Sequence, residues 1–400
     1  MIVEINSVNY GSTGNIARNI CNRAREKGEN TVFCYSNRRS TRCNKIDGDI
    51  LIGTKLSFYI HEKLTMLTGL HGCFSIFATI KLIRHLAALH PEIVHLHNLH
   101  SSFINIPLLF NYLGKQNISV VWTLHDCWAF TGKCTHFSFV NCMKWKEGCS
   151  HCPQITDYPT SFIDCSRILY KLKKNAVRKV HNLTIVTPSQ WLAGLVKDSF
   201  LGDYPIKVIN NGIDVQVFKP HNNVLKQKYK IEQKYIVLGV ASEWSDRKGL
   251  DVLIQLSKDL DDNYQVIIIG DLPDNKIINE SSIITVGHTT SKNELADFYS
   301  IADVFVNPTR EDTFPTVNIE ALACGVPVLT YKTGGSPEMI DDTCGSVVPY
   351  NDYNALKAEI HRICETKPYE KLACLEKGKQ YDMNDRFDEY LRLFERIKNH

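Results

Sequence analysis

The chain has no uninterrupted apolar run approaching the ~20 residues that a membrane-spanning helix requires. It also lacks a strong charge of either sign. Forty-six Lys and Arg against 43 Asp and Glu leave a net +3, too little to imply nucleic acid as a partner. The opening stretch MIVEINSVNYGSTG has no basic n-region and no long apolar h-region, and Glu4 falls inside the first apolar run. No secretory signal is therefore expected. Without one, the 14 cysteines are expected to be mostly reduced thiols, and ten of them precede residue 166. What remains is the composition of a soluble globular protein. At 400 residues it exceeds the ~250–300 at which a single core stops growing, so two domains or more are expected.

Short apolar runs alternate with helical patterns along the chain, the mark of a parallel α/β sheet. In the first half IVEINSV, TVFCYS, PEIVHLHNLH, SVVWTLHD, LTIVTPS and IKVINNGID read as strands. Residues 55–90 read as helical and apolar with interspersed Lys55, Lys63, Lys81 and Arg84, and an irregular Cys-rich excursion runs from 127 to 159. The second half repeats the theme with KYIVLGVAS, YQVIIIGD, SIITVGH, DVFVNPT, VPVLTY and GSVVPY. Helices are expected around 292–301, 316–323 and 353–364. Several of these strands are continuously apolar, as strands covered on both faces are. The expected architecture is two doubly wound, Rossmann-like domains facing across a deep cleft. The expected boundaries are 1–216 on the acceptor side, 217–378 on the donor side, and a terminal helix over 379–400 packing back on the first domain. The polar stretch near 214–232 is the expected crossover.

The segment PTREDTFPTVNIEALACGVPVLTYKTGGSPEMI places Asp312 eight residues before Glu320. A strand ends just before Asp312, Pro315 suits a first helical turn, and Gly325 suits a helix C-terminus. The amino end of that helix offers free N–H groups to an anion, and carboxylates there can accept hydrogen bonds from sugar hydroxyls. A helix with two solvated acids is the plainer alternative. Eight helical residues would put these acids about 12 Å apart, beyond the ~5–9.5 Å of glycosidase carboxyl pairs. Lys248 opens a helix where a cation is unfavourable unless an anion binds. Gly11-Ser12-Thr13-Gly14, read as a turn between strand and helix, would let backbone approach a phosphate. His125 ends a strand, where ligands of open α/β sheets bind; a histidine bonded to nearby backbone is the alternative.

Three elements resemble the retaining glycosyltransferases of family 4, which have the GT-B fold. Asp312, seven residues and Glu320-Ala321-Leu322-Ala323-Cys324-Gly325-Val326-Pro327-Val328 resemble the family's paired Glu followed by A-x-A-x-G-x-P-V. Gly334-Gly335-Ser336-Pro337-Glu338 resembles its G-G-x-P-E turn. Asn211-Gly212-Ile213-Asp214 with Phe218 and Pro220 resembles its N-G-[VI]-D-x-x-x-F-x-P signature. The departures are Asp312 for Glu, Thr-Phe-Pro for Gly-Phe-Gly after it, and Glu243 where an Arg is usual, with Arg247 as its substitute. The resemblance implies retaining transfer of a sugar from a nucleoside diphosphate sugar to a growing, lipid-linked glycan in capsule or exopolysaccharide assembly, with no cofactor required for catalysis. It implies that Lys248, and next Arg247, neutralise the leaving diphosphate. Glu320 would hold the ribose, Asp312 the transferred sugar, and His125 the sugar near its leaving group. Gly14, Phe314, Pro315 and Thr316 would complete the donor site.

Two other functions compete. His95 and His97 share a strand face, and with His125 or Asp126 they would suit a metal-dependent hydrolase. A nucleotide-sugar-binding protein without transfer activity is the other, given the altered residues at 243 and 312–315. Cys134, Cys142, Cys149 and Cys152 lie in a polar stretch with little regular pattern, and a structural zinc on these thiolates is expected to order it. The mix of cations with Phe58, Tyr59, Leu64, Leu67, Phe74, Phe77 and Ile80 in residues 55–90 suits an anionic membrane surface. The expected location is cytoplasmic, peripheral on the inner face of the plasma membrane.

Overall fold

The computed structural model describes residues 1–36, 47–116, 118–222, 224–273 and 282–399. Asn223 in the expected crossover and His400 in the expected terminal helix lie outside them. The chain divides into two compact units, Met1–Ile209 with Phe387–His400, and Asn210–Arg386.

The first unit holds a parallel sheet of seven strands, β1 (Ile2–Asn6), β2 (Thr31–Ser36), β3 (Ile50–Ile52), β4 (Ile93–Leu96), β5 (Ser119–Thr123), β6 (Leu183–Thr187) and β7 (Ile206–Val208), in the order β3-β2-β1-β4-β5-β6-β7. The order reverses between β1 and β4, whose register sets Glu4 opposite His95. Helices α1 (Gly11–Glu26), α2 (Lys55–Thr68), α3 (Ile76–Leu89), α4 (Ile106–Lys115), α5 (Ser166–Val177) and α6 (Gln190–Lys197) cover it.

The second unit holds six parallel strands, β8 (Tyr235–Glu243), β9 (Tyr264–Asp271), β10 (Ile283–Val286), β11 (Val304–Asn307), β12 (Val328–Tyr331) and β13 (Gly345–Val348), ordered β10-β9-β8-β11-β12-β13. Its helices are α7 (Leu225–Tyr229), α8 (Leu250–Asp259), α9 (Lys292–Ile301), α10 (Thr316–Ala323), α11 (Tyr353–Thr366) and α12 (Lys371–Lys379). A final helix, α13 (Met383–Lys398), begins in this unit, and from Phe387 onward it belongs to the first. The central strands are apolar on both faces. Ile236, Leu238 and Val240 enter one core, with Ile267 and Phe305, and Val237 and Ala241 enter the other, with Ile268 and Val304. Each such fully buried aliphatic side chain stabilises the fold by about 1.5–3 kcal/mol. The Asn211–Asp214 signature serves the same unit: Ile213 N–H donates to Tyr381 O at 2.9 Å, and Met383 N–H to Ile213 O at 2.8 Å.

Several local expectations change. Residues 55–90 form two helices, α2 and α3, because the first ends on Gly69 in the left-handed conformation (φ 73°). The strand Ile50–Ile52 and the helices α4, α5, α7 and α12 add to the expected elements. The signal for α4 is in its own sequence, an Asn105 side chain capping Leu108 N–H with a proline in the first turn. The excursion over 127–159 has a core after all. Phe130, Phe137 and Trp145 are buried, with ring centroids 5.1–6.4 Å apart. The Lys133 ammonium ties its far end by donating to the carbonyls of Gln154, Ile155 and Asp157 at 2.8, 2.5 and 3.0 Å.

Candidate active site

In the second unit the chain order reverses between β8 and β11, so the loops leaving their carboxyl ends lie side by side. The loop after β8 carries Arg247 and Lys248, and the loop after β11 carries Asp312. Their backbones are stitched together: Arg310 N–H donates to Arg247 O at 2.8 Å, and the Arg247 guanidinium donates to Glu311 O at 3.0 Å. Arg310 itself grips Asp251 through two contacts of 2.7 Å. Within this frame the Lys248 ammonium meets Asp312 Oδ2 at 2.5 Å, 64 residues away in sequence. Asp312 Oδ1 accepts the Phe314 N–H at 3.1 Å. Glu243 ends β8 with an exposed side chain, beside Asp271 in the register.

Helix α10 follows, with Pro315 as its N-cap and no side-chain cap at its amino end. Gly325 ends it at φ 80°, as expected. Two residues that sequence reasoning missed hold this helix in place. The Tyr299 hydroxyl, fully buried, donates to Glu320 Oε2 at 3.0 Å. Burial pushes the Glu320 carboxyl up to about 7, with the Tyr299 bond opposing. Asn318, also buried, accepts from Asn307 Nδ2 at 2.8 Å and donates to Ser336 Oγ at 2.9 Å, and Ser336 meets Thr330 Oγ1 at 2.8 Å. This buried chain fixes α10 to the Gly334-Gly335 turn. No periodicity marks it, because Tyr299 and Asn318 read from sequence as ordinary core and helix residues. The turn in return supports the Asp312 loop, with Gly335 N–H donating to Asp312 O at 3.1 Å. Gly334 has φ 55°, and a Cβ there would lie 1.9 Å from Asp312 O.

In the first unit Gly14 lies within the first turn of α1, not in the preceding turn, because the helix starts at Gly11 after an extended Tyr10. Its lack of a Cβ allows Asn9 to pass, since a Cβ would meet Asn9 C at 2.9 Å. His125 follows β5 and is half-buried. Its Nε2 lies 3.0 Å from His97 Nδ1, and His97 Nε2 lies 2.9 Å from Glu4 Oε2. His95 places Nδ1 at 2.8 Å from the same oxygen and Nε2 at 2.8 Å from Thr123 Oγ1. Both nitrogens of both rings thus have hydrogen-bond partners. Asp126 is turned away from this group and pairs with His100 Nε2 at 2.9 Å. Burial works against charge on His100, but Asp126 and Tyr158 raise it to about 9.

Among the described residues, the one group of three metal-binding side chains with ligand atoms within 4.8 Å is Glu4, His95 and His97. Its third member is therefore Glu4, not the expected His125 or Asp126. The four cysteines do not converge on one centre. Cys134 and Cys152 have their sulfurs 3.6 Å apart, Cys149 Sγ accepts the Gly132 N–H at 3.0 Å, and Cys142 packs against the first unit's core. No three of these sulfurs lie within 4.8 Å of one another, and the excursion has an aromatic core of its own.

Two parallel doubly wound units, with loops converging at each switch point, define the GT-B fold, and solved structures of that class match the chain along nearly its whole length. Sucrose-phosphate synthase from Thermosynechococcus elongatus gives a TM-score of 0.71 at 16% identity, covering 99% of this chain and 98% of that one. WaaG, a glycosyltransferase involved in lipopolysaccharide biosynthesis, gives 0.64 at 15% identity, covering 98% of each. Anabaena HepE in complex with UDP gives 0.66 at 14% identity, covering 98% of this chain and 99% of that one. These likenesses show the fold. The family model described as Glycosyltransferase Family 4 matches residues 13–217, and the one described as Glycosyl transferases group 1 matches 222–380. The first spans more than half of the 400 residues, and the chain belongs to glycosyltransferase family 4. The hydrolase alternative is thereby set aside. Among curated relatives, a protein named as the colanic acid biosynthesis glycosyl transferase WcaC of Escherichia coli K12 is 27% identical over 265 residues, covering 64% of each chain. The capsular polysaccharide biosynthesis glycosyltransferase CapM of Staphylococcus aureus is 30% identical over 168 residues, covering 38% of this chain and 43% of that one. The matched segments thus span under two thirds of either relative.

The Gly334 geometry makes a stability prediction. Gly334→Ala forces a side chain into the left-handed region, a cost of about 1–2 kcal/mol before the collision with Asp312 O is counted. Gly194→Ala, within α6 and with open space around it, is expected to gain about 0.5–1 kcal/mol. Denaturant midpoints measure both; equal effects of the two substitutions would contradict the close approach.

Proposed function

We propose that this chain transfers a sugar, with retention at the anomeric carbon, from a nucleoside diphosphate sugar to a growing lipid-linked glycan in surface polysaccharide assembly. The observation that carries this reading is the Lys248–Asp312 pair at the switch point of the second sheet. An ammonium held there by a carboxylate is charged, oriented and half-exposed. An arriving diphosphate competes for it and releases Asp312 Oδ2 toward a sugar hydroxyl. As the bond from anomeric carbon to phosphate oxygen breaks, charge grows on the leaving diphosphate, and a fixed cation lowers that barrier. Arg247, whose guanidinium is tied to Glu311 O in the same frame, adds a second cation. Glu320 accepts the ribose hydroxyls, and Phe314, Pro315 and Thr316 shape the donor site around the amino end of α10. In the first unit, Gly14 lets backbone approach the donor and His125 serves the transferred sugar. WcaC and CapM, named for colanic acid and capsule synthesis, support the assignment to surface polysaccharide.

Lys248→Ala is expected to lower kcat by about 10²–10³ and leave the fold intact. Near-normal transfer by this variant, with a donor found by thermal-shift screening of nucleotide sugars, would falsify the reading.

The Glu320 carboxyl supplies a pH dependence. A carboxylate that accepts two ribose hydroxyls must be ionised, and burial raises its protonation to about 7 in the free protein. Donor affinity is therefore expected to fall as pH drops below about 7, since ligand must displace the bound proton, and to level off above it. A nucleotide sugar has no phosphate titrating in this range. Titration calorimetry from pH 5.5 to 8.5 checks the profile (about three pH units span the transition), and Glu320→Gln should flatten it.

We further infer that the first unit rests on an anionic membrane surface. No helix among the described residues is long and apolar enough to cross a membrane. Leu56, Ile60, Leu67, Ile76 and Phe77 on α2 and α3 are exposed, Phe77 at 88%. Phe58, by contrast, faces the core, since it shares the buried face of α2 with His61 and Thr65. Exposed Phe162 and Ile163 extend the patch, because Phe162 N–H donates to Met66 O at 2.9 Å. Lys55, Lys63, Lys81 and Arg84 are exposed on the same two helices, so apolar and cationic groups are presented together. Salt-sensitive sedimentation with phosphatidylglycerol vesicles is expected, with loss when Lys55, Lys63, Lys81 and Arg84 become Glu. Equal recovery with neutral vesicles would count against it.

A further inference from the structure

Near the end of the Cys-rich excursion, Tyr158 turns its hydroxyl inward. The oxygen lies 3.0 Å from His100 O, 3.0 Å from His100 Nδ1 and 3.1 Å from Ser101 Oγ. A carbonyl only accepts, so the single phenol proton goes to His100 O, and His100 Nδ1–H and the Ser101 hydroxyl donate to Tyr158 Oη. His100 is buried, and its Nε2 sits 2.9 Å from Asp126 Oδ2. Both ring nitrogens therefore donate, in keeping with a ring that stays protonated up to about pH 9. Asp126 is itself fixed, since its Oδ1 accepts the Trp128 N–H at 2.8 Å. A phenol oxygen with one donated and two accepted bonds has no capacity left for a ligand.

The ring itself is open. Tyr158 stays 48% exposed although its polar atom is fully engaged, so what it offers to solvent is aromatic surface. His100 supports it edge-on, with ring centroids 5.5 Å apart and planes at 76°. A flat face held still by three hydrogen bonds loses little freedom when a ligand stacks on it. Its place selects the ligand. His100 and Ser101 follow β4, and Asp126 adjoins His125 after β5, so the ring stands at the carboxyl edge of the first sheet, where ligands of open α/β sheets bind. Four residues further on, at most about 14 Å away, lies Phe162 of the exposed apolar patch. A tyrosine that only anchored this patch in a bilayer would keep its hydroxyl for the headgroup layer. That of Tyr158 is spent on His100 and Ser101.

We propose that Tyr158 is a stacking platform for a pyranose ring of the acceptor glycan. The C–H face of a sugar carries slightly positive hydrogens that suit the negative face of an aromatic ring, while the sugar hydroxyls stay in water. The inference rests on the proposed transfer to a lipid-linked glycan: a saccharide laid on Tyr158 has the His125 loop towards one end and the membrane-facing patch towards the other. Tyr158 belongs to none of the three motifs that carry the family resemblance.

The test is saturation-transfer NMR on the full-length chain without donor. The probes are methyl α-glucoside, methyl α-galactoside, methyl α-mannoside and N-acetylglucosamine. Irradiation of the aromatic protons is expected to reach the ring C–H protons of at least one probe. Tyr158→Ala is expected to weaken that transfer by about 3–10-fold, the worth of one stacked ring. Tyr158→Phe should retain most of it, because the ring survives when the hydroxyl goes. Tyr158→Leu keeps apolar bulk without a ring and should behave as Tyr158→Ala does, with thermal midpoints showing that each variant is folded. An unchanged signal in Tyr158→Ala or Tyr158→Leu, or no transfer to any of the four probes, overturns the platform. So does loss of the signal in Lys248→Ala, which would place the bound sugar in the donor site. Failure of the transferase reading shows separately, as near-normal transfer from a nucleotide sugar by Lys248→Ala, whatever the glycoside spectra give.

Discussion

Every described pairing in both sheets is parallel, and this one constraint sets where chemistry can occur. Parallel strands send all their carboxyl ends to one edge. Where the strand order reverses, the chains leaving two adjacent strands turn to opposite faces and leave room between their loops. In the second unit the adjacent strands are β8 and β11, which is why Lys248 and Asp312 meet although 64 residues separate them. In the first unit they are β1 and β4, and there Asn98 N–H donates to the Asn6 side chain at 3.1 Å across the same kind of junction.

The two units handle charge at these junctions in different ways, and burial explains the difference. Glu4 points into an enclosed layer, where Tyr390 and Phe394 of α13 cover the His95 ring at 5.4 and 5.3 Å. Burial raises the Glu4 carboxyl, and its neighbours there are the ring nitrogens of His95 and His97 and, among the described residues, no full cation, which would bring its own desolvation cost. Lys248 and Asp312 keep 24% and 16% of their side-chain surface. Partial hydration lowers the penalty for both charges and lets the ammonium exchange one anion for another. That freedom to exchange suits the proposed donor site, whereas the enclosed Glu4 layer is closed to it.

Much of the frame was legible in sequence because fully covered strands are continuously apolar, as YQVIIIGD and KYIVLGVAS are. Elements whose signals lie in caps were harder to see: α4 announces itself only through Asn105 and Pro107. The histidine group was misread for a physical reason. Alternation along β4 correctly puts His95 and His97 on one face, but sequence does not say which strand lies alongside. That strand is β1, in a register that sets Glu4 opposite His95. The side chain brought to the two rings is therefore the Glu4 carboxyl, and not Asp126. The cysteine excursion was misread through its polar residues, while its order comes from three aromatic rings and a lysine bound by carbonyls. In the proposed donor site, Asp312 and Glu320 were visible through resemblance, and Tyr299 and Asn318 were not, since buried support carries no motif.

The departure of Asp312 from the family's usual Glu has a structural logic of its own. A side chain one methylene shorter can bond the backbone two residues on, and Asp312 Oδ1 accepts the Phe314 N–H in this way while Oδ2 holds Lys248. A Glu would place its carboxylate beyond that turn. The residues that follow change in the same direction. Thr-Phe-Pro replaces a Gly-Phe-Gly pattern, so two flexible positions give way to a proline with fixed φ and a threonine. Phe314 is buried, its ring centroid 6.0 Å from that of Tyr381. The loop thus trades glycine freedom for a side-chain turn, a proline and an aromatic anchor. Fewer conformations remain to be lost when a ligand orders it, which is how preorganisation strengthens binding. One Asp312 oxygen thus braces its own loop while the other meets the Lys248 ammonium. The altered acid and the altered residues after it therefore act on one loop.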